Sequence, residues 1–408
     1  MFAIPLSYSY LCTFFEDNGM KKVLILSSKS PYPLRDGAAI RTYQSIFLFS
    51  RIGYEVDVLY LSETDDEEVV KKGLHGLYNQ VVHFKVTKRQ SYLKVLKGLA
   101  TNLLPLQVNY FYSKRARKWI VQNQHQYDII YCNNIRTAHY ARGLKPMKII
   151  DYVDAYSMNY QSARENTKGL WHWIYTIDYP RCNKYEQRIL HAFDKCLIIS
   201  DIDRQYILNH ASKPAEISVI ENFTPIDDRR IPSNPDSCNL VFIGAMNYEP
   251  NVSAVRYFSR TIMPELLKRY PNLHFYIVGK TPTPEVEALA DEHTTVTGYV
   301  DSTWDYLKIA SLVVTPMQSG SGLQNKILQS LAVGACVVTT PKGFEGLVTD
   351  VGQPFVAQDS DEMIKIISHL LDNPQERQAY GALSVEYVKK HYDVSVIQQK
   401  FKDIITSD

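Results

Sequence analysis

Short apolar runs alternate with amphipathic helical segments along nearly all of this 408-residue chain, and one proline-rich stretch interrupts the alternation. KVLILSS (22–28) reads as a buried strand, and AAIRTYQSIFLFSRIG after it repeats apolar residues every three to four positions, as a helix does. YEVDVLYL, VVHFKV, YDIIYC, KIIDYV, KCLIIS and EISVI continue the first half; NLVFIG, LHFYIVG, TVTGYV, SLVVTP, ACVVTT and PFVA make up the second. Strands this uniformly apolar are covered on both faces, so the pattern predicts parallel sheets between layers of helices. Between the halves, ENFTPIDDRRIPSNPDSCN (221–239) holds Pro225, Pro232 and Pro235 and no apolar period. The chain is also too long for one ordinary core. The expected organisation is an extension (1–20), a first doubly wound α/β domain (21–222), a linker (223–238), a second such domain (239–390) and a C-terminal helix (391–408).

Charge divides along the same boundary. Residues 1–222 carry 29 Lys+Arg against 21 Asp+Glu, and the remainder carries 16 against 22. A basic first half and an acidic second half predict domains with different partners. The six cysteines show no C-x-x-C pair, which predicts reduced thiols and a cytoplasmic setting. The first 19 residues are apolar but lack a basic start and a cleavage site, so they read as an extension and not a signal peptide. No segment approaches the ~18 uncharged apolar residues of a membrane span. Lys85–Trp119 has nine basic residues, no acid, and interleaved leucines and aromatics. Its expected partner is an anionic membrane surface, which would place the protein peripherally at the inner face of the plasma membrane. Nucleic acid is not expected, because the rest of the chain is not basic.

Three glycine loops follow strands. In SLVVTPMQSGSGLQNKILQSL, the Gly320-Ser321-Gly322 loop opens into a helix with Leu323, Ile327, Leu328 and Leu331 on one face and Asn325, Lys326 and Gln329 on the other. A strand, a glycine loop and a helix start, in that order, make an anion cradle of free N–H groups, to which Lys326 adds a cation. In FIGAMNYEPNVSAVRYF, Gly244 ends a strand and Pro250-Asn251 open a helix. In SPYPLRDGAAIR, Gly37 enters a helix flanked by Arg35 and Arg41. The partial G-x-G lacks the third glycine of the dinucleotide fingerprint. DYVDAYS (151–157) clusters carboxylates at a strand end, where α/β ligand sites lie; capping by Asp154 or Ser157 is the plainer alternative. The eleven histidines show no metal-binding spacing, so no metal is expected.

Together, GAMNYEPNVSAVRYF, the IVG and TGYV strand ends and GSGLQNKILQSLAVGACVVTTPKGFEGL resemble the retaining GT-B glycosyltransferases of the group 1 family, especially the bacterial sugar transferases of exopolysaccharide clusters. IIDYVDAYS and PYPLRDG match less specifically. The resemblance covers nearly everything after residue 20. It implies two Rossmann-like domains around a catalytic cleft: a C-terminal domain binding a nucleoside diphosphate sugar, an N-terminal domain binding a saccharide or lipid-linked acceptor, and a last helix crossing back to the N-terminal domain. It also implies roles. The donor side would comprise Gly244, Asn247, Asn251, Tyr299, Val300, Gly320, Ser321, Gly322, Leu323, Lys326 and Gln329; Gly37, Ala38 and Arg41 would lie on the acceptor side. Lys326 and Asp154 would be the catalytic pair, with no cofactor beyond the donor co-substrate.

The chain departs from the broad family in three places. Many members carry two glutamates eight positions apart where this chain has Ser321 and Gln329. Many carry an Arg…Lys pair after the first C-terminal glycine, and GAMNYEPN has neither. Many have a histidine at the strand end that reads Val153-Asp154 here. Glutamine still donates and accepts hydrogen bonds but loses the charge-assisted bond of a carboxylate to sugar hydroxyls. The alternatives are a catalytically weak nucleotide-sugar-binding scaffold, or another enzyme on this fold such as a nucleotide-sugar epimerase.

Overall fold

The computed structural model describes residues 19–34, 36–226, 238–320 and 322–407. Most of the expected extension, residues 227–237 of the linker, and Ser321 lie outside the described residues. The chain forms two compact units, one ending at Asn222 and taking in Gln398–Asp408, the other Phe223–Ile397.

The first unit is a seven-stranded parallel sheet: β1 (Lys22–Ser27), β2 (Glu55–Ser62), β3 (Gln80–Lys85), β4 (Ile129–Asn133), β5 (Met147–Asp151), β6 (Lys195–Ile198) and β7 (Ser218–Val219). Its strand order is β3-β2-β1-β4-β5-β6-β7. Val23, Leu24, Ile25 and Leu26 are all buried, so β1 is covered on both faces, as its unbroken apolar run requires. Leu24, Leu26, Ile130, Cys132, Ile150 and Ile198 build the core on one face. On the other, helix Gly37–Arg51 lays Phe49 edge-on to Tyr131. That helix starts where Asp36 Oδ1 accepts from the Ala39 amide at 2.9 Å.

The second unit repeats the plan with six strands: β8 (Asn239–Ile243), β9 (His274–Val278), β10 (Thr294–Gly298), β11 (Leu312–Thr315), β12 (Val337–Thr339) and β13 (Phe355–Val356). The order is β10-β9-β8-β11-β12-β13, every pair parallel. In each unit the chain walks outward one way from a central strand, then returns to that strand's other side. The reversal falls between β1 and β4 in the first sheet and between β8 and β11 in the second. Loops diverge at such a reversal and leave a crevice outside the carboxyl ends of the strands.

Beyond the loop that follows β8, α-helical Glu249–Tyr257 passes through a five-residue π-helical turn, Phe258–Ile262, into α-helical Met263–Leu267. The Met263 amide donates to the Phe258 carbonyl across this wider turn, and Pro264, which has no amide to donate, follows it. The basic segment 85–119 folds as three helices, Lys88–Thr101, Leu106–Tyr110 and Lys114–Asn123. The five described cysteines are free thiols.

Candidate functional site

At the reversal of the second sheet, the loop after β8 meets the loop after β11. Gly320 has φ 111°, a conformation that favours glycine, and a Cβ there would lie 3.4 Å from the Pro250 side chain. Gly244 is required for a different reason: its missing Cβ leaves room for Asn251, whose Nδ2 would be 2.6 Å away. Asn251 Nδ2 donates to the Ala245 carbonyl at 3.0 Å, which holds the loop closed. Its Oδ1 accepts from Lys326 Nζ at 2.5 Å.

Lys326 sits in the first turn of helix Asn325–Ala332, whose opposite face buries Ile327, Leu328 and Leu331. The helix begins at Asn325, so Leu323, expected within it, belongs to the loop and is buried there. Lys326 Nζ also lies 3.5 Å from Met317 Sδ and 4.7 Å from the centre of the Phe242 ring. No carboxylate pairs with it among the described residues. Burial with only neutral neighbours pushes its pKa down to about 7. Lys326 lies in the first turn of its own helix, where the helix dipole favours negative charge.

The other residues expected on a donor side spread outward from this centre. Gln329 lies one turn along the same helix and is half-buried. Asn247 is exposed in the loop after β8. Tyr299 and Val300 follow β10, two strands from β8, or about 10 Å at ordinary strand spacing. Tyr299 is 74% exposed.

The first unit arranges its candidates at the corresponding reversal. Gly37 and Ala38 form the first turn of helix 37–51. Arg41 corrects the sequence reading. It does not face outward as an acceptor-side cation; it is buried, with Nε 2.6 Å from Asp151 Oδ2 and Nη1 3.2 Å from Asn222 Oδ1. A buried guanidinium with this pairing locks its helix to the sheet. Asp151 is fully engaged too, accepting from Tyr131 Oη at 2.6 Å and from the Val153 amide at 3.0 Å.

Asp154 is the carboxylate this lock leaves over. Val153 has φ 68°, unfavourable for a β-branched residue, and the Asp154 amide donates back to the Tyr152 carbonyl at 2.9 Å. This strained three-residue turn re-aims the chain at the strand end. Burial raises Asp154 to about 7, with Asp203 and Asp151 adding repulsion and Arg41 and Arg136 opposing it. Neither Asp154 nor Ser157 caps the following helix. Its N-cap is Ala155, with no side-chain bond, and the Ser157 hydroxyl donates to Glu186.

One residue escaped the sequence reading. Asn133 ends β4 at the reversal and is buried, yet neither its Oδ1 nor its Nδ2 has a hydrogen-bond partner among the described residues. The same holds for the buried hydroxyl of Ser28, just beyond β1. The Asn-Asn pair directly after the apolar run YDIIYC was the available signal.

Two parallel sheets of this plan, each with a glycine loop at its reversal, define the GT-B architecture. Residues 237–373 match the family described as glycosyl transferases group 1. A Klebsiella pneumoniae protein described as an uncharacterized 44.6 kDa protein in the cps region is 20% identical over 391 residues, covering 92% of this chain and 97% of its own. Sucrose-phosphate synthase from Thermosynechococcus elongatus superposes with a TM-score of 0.70 at 13% identity, over 94% of this chain and 98% of that one. Anabaena HepE, solved with UDP and glucose, gives 0.66 at 14% identity, over 95% and 100%. The chain has the GT-B fold, and the match to the group 1 glycosyl transferases lies within its second unit, over residues 237–373.

Proposed function

We propose that this protein is a retaining, metal-independent glycosyltransferase of the hexosyl type. It moves a sugar from a nucleoside diphosphate sugar to a saccharide or lipid-linked acceptor during synthesis of a cell-surface polysaccharide or glycoconjugate, in the cytoplasm at the inner membrane face. The observation that carries this reading is Lys326, a half-buried lysine with no carboxylate partner among the described residues, at a loop crossing within the segment that matches the group 1 glycosyl transferases. The complex of Anabaena HepE with UDP and glucose, and the cps-region setting of the Klebsiella relative, support the donor class and the polysaccharide role.

The chemistry follows from charge. As the glycosidic C–O bond of the donor breaks, negative charge grows on the departing diphosphate. The loop amides of Gly320, Gly322 and Leu323, the helix start and Lys326 are fixed donors that need no reorganisation to meet it. Asn251 holds the lysine, and Gln329 bonds ribose or sugar hydroxyls. Departing phosphate and incoming hydroxyl on the same face of the sugar give retention without a protein nucleophile. Asp154, held near neutrality, serves the sugar or acceptor side. Residues 85–119 bring the chain to an anionic membrane surface.

The test combines donor binding with transfer. Nucleoside diphosphates and their sugars should raise the melting temperature, because a ligand at 100 times its Kd adds about 2.7 kcal/mol of stability. Lys326→Ala should reduce transfer by roughly 100-fold or more, the cost of removing a fixed donor to developing charge. A near-normal rate in that variant would remove Lys326 from the mechanism.

A further inference from the structure

Helix Lys88–Thr101 is built inside out. Its buried residues are Ser91 and Gly98, while Tyr92, Leu93, Leu96 and Leu99 face solvent, Leu96 at 63% exposure. The inward face has no room for anything larger: a Cβ on Gly98 would lie 2.5 Å from the Asn109 side chain. Tyr92, Leu96, Leu99 and Leu103 follow steps of four, three and four, a stripe that a globular helix ordinarily buries.

A second row stands beside it. In helix Gly169–Leu190, Leu170, Trp173 and Ile177 share one face and are exposed, Trp173 at 66%; Trp171 is exposed as well and stacks on Tyr175. The same face continues to Arg181, whose guanidinium donates to the carbonyls of Leu99 and Asn102 at 3.4 Å each. The Leu106 amide donates to Asp178 Oδ1 at 2.9 Å. The two rows therefore join at Arg181 in one surface, extending about 16 Å along the second helix from Leu170. Nine of the nineteen exposed large hydrophobic residues described in the protein lie on it. Two exposed apolar rows that meet in this way mark an interaction surface.

Its chemistry selects the occupant. Tryptophan and tyrosine have apolar bodies with polar tips, suited to the boundary between lipid tails and head groups. Lys88, Arg89, Lys97 and Lys168 are exposed around the rows. Glu63, 3.6 Å from Lys88, offsets part of that charge, and the remaining bases match an anionic surface. No described helix is long and apolar enough to cross a membrane, so contact by this route is interfacial.

We propose that the leucine stripe of helix 88–101 and the Leu170–Trp171–Trp173–Ile177 row together form a wedge that enters the head-group layer of an anionic bilayer. This deepens the membrane contact proposed above and adds the second helix to it, but stands on geometry independent of donor chemistry.

The full chain is tested by co-sedimentation with phosphatidylcholine vesicles, with and without phosphatidylglycerol, and by quenching of tryptophan fluorescence with bromine-labelled lipid. The expected result is binding that needs the anionic lipid and weakens with salt, together with quenching that is lost in Trp171→Phe/Trp173→Phe. The double variant Leu96→Glu/Trp173→Asp should bind at least about tenfold more weakly, since it replaces apolar contacts with charges repelled by the surface. Both positions are exposed, and UDP binding in the same variant reports the fold and the donor site separately. Unchanged vesicle binding in the variant overturns the proposal, as does equal binding to neutral vesicles. Self-association in solution that the same substitutions abolish also overturns it, because the surface would then belong to a second copy.

Discussion

At Lys326 the proposed role and a purely structural one differ in how the residue titrates. Its folded pKa is about 7 against an ordinary 10.5. Between those values the unfolded chain holds a proton that the folded chain lacks, so stability rises with pH across that window. A bound diphosphate favours the charged form and reverses the shift. UDP binding at about pH 8 should therefore take up as much as about one proton, measured by calorimetry in buffers of different ionisation enthalpy, and Lys326→Met should take up none. Without ligand, the methionine variant should melt above the wild type near pH 7, the gap closing towards pH 10. Equal proton uptake by both proteins would mean that the diphosphate does not sit on this lysine. The residue itself was legible, because a glycine loop feeding an amphipathic helix defines which positions face the loop. Its partner was not: Asn251 lies 75 residues away, and only the fold brings the two together. Arg41 failed for the same reason, since its carboxylate is 110 residues distant and a basic residue near a helix start reads as solvated until that partner is seen.

At the level of elements, the loop crossing depends on how closely β8 and β9 approach. A Cβ on Gly279 would lie 1.6 Å from the Gly244 carbonyl oxygen, and the obstacle is backbone that no rotamer change can move. The Gly244 amide donates to Val278 at 3.0 Å and the Met246 amide to Lys280 at 2.9 Å, so the two strand ends are bonded through this contact. Gly279→Ala should cost about 1–3 kcal/mol or more, the range for forced overpacking. It should also weaken UDP binding by displacing Gly244 and Asn251. Urea denaturation and a UDP titration read the two effects, and an unchanged midpoint would show that the strands can separate freely. Strands were the easiest elements to read, because an apolar run of four to six residues between turn signals leaves few alternatives. Helix interiors were harder. Nothing in the periodicity marks the π-helical turn at Phe258–Ile262, and outward-facing leucines in 88–101 break the rule by which a helix's buried face is found.

For the whole molecule, the strongest architectural expectation concerned the last helix, and the energetics of its docking can be assigned to one side chain. Helix Val394–Thr406 has Gln398 onward grouped with the first unit. Phe401 is buried edge-on to Phe49 at 4.9 Å. Lys400 Nζ lies 2.8 Å from Glu221 Oε2, and Lys195 Nζ donates to the Ile404 carbonyl at 2.7 Å. The Lys400 side chain is 41% exposed, so its ion pair is screened and worth at most about 1 kcal/mol. Phe401 removes a large apolar surface from water and adds an aromatic contact; truncating such a residue costs about 3–5 kcal/mol. Phe401→Ala should therefore destabilise the first unit by that amount, while Lys400→Ala changes it by less than about 1 kcal/mol. Hydrogen exchange of the β1 and β4 amides should accelerate in the phenylalanine variant, with β8 and β11 amides little affected. If both sheets lost protection equally, the two units would unfold as one cooperative body. If neither did, the helix would contribute no stability to the sheet it covers, and Phe401 would be dispensable.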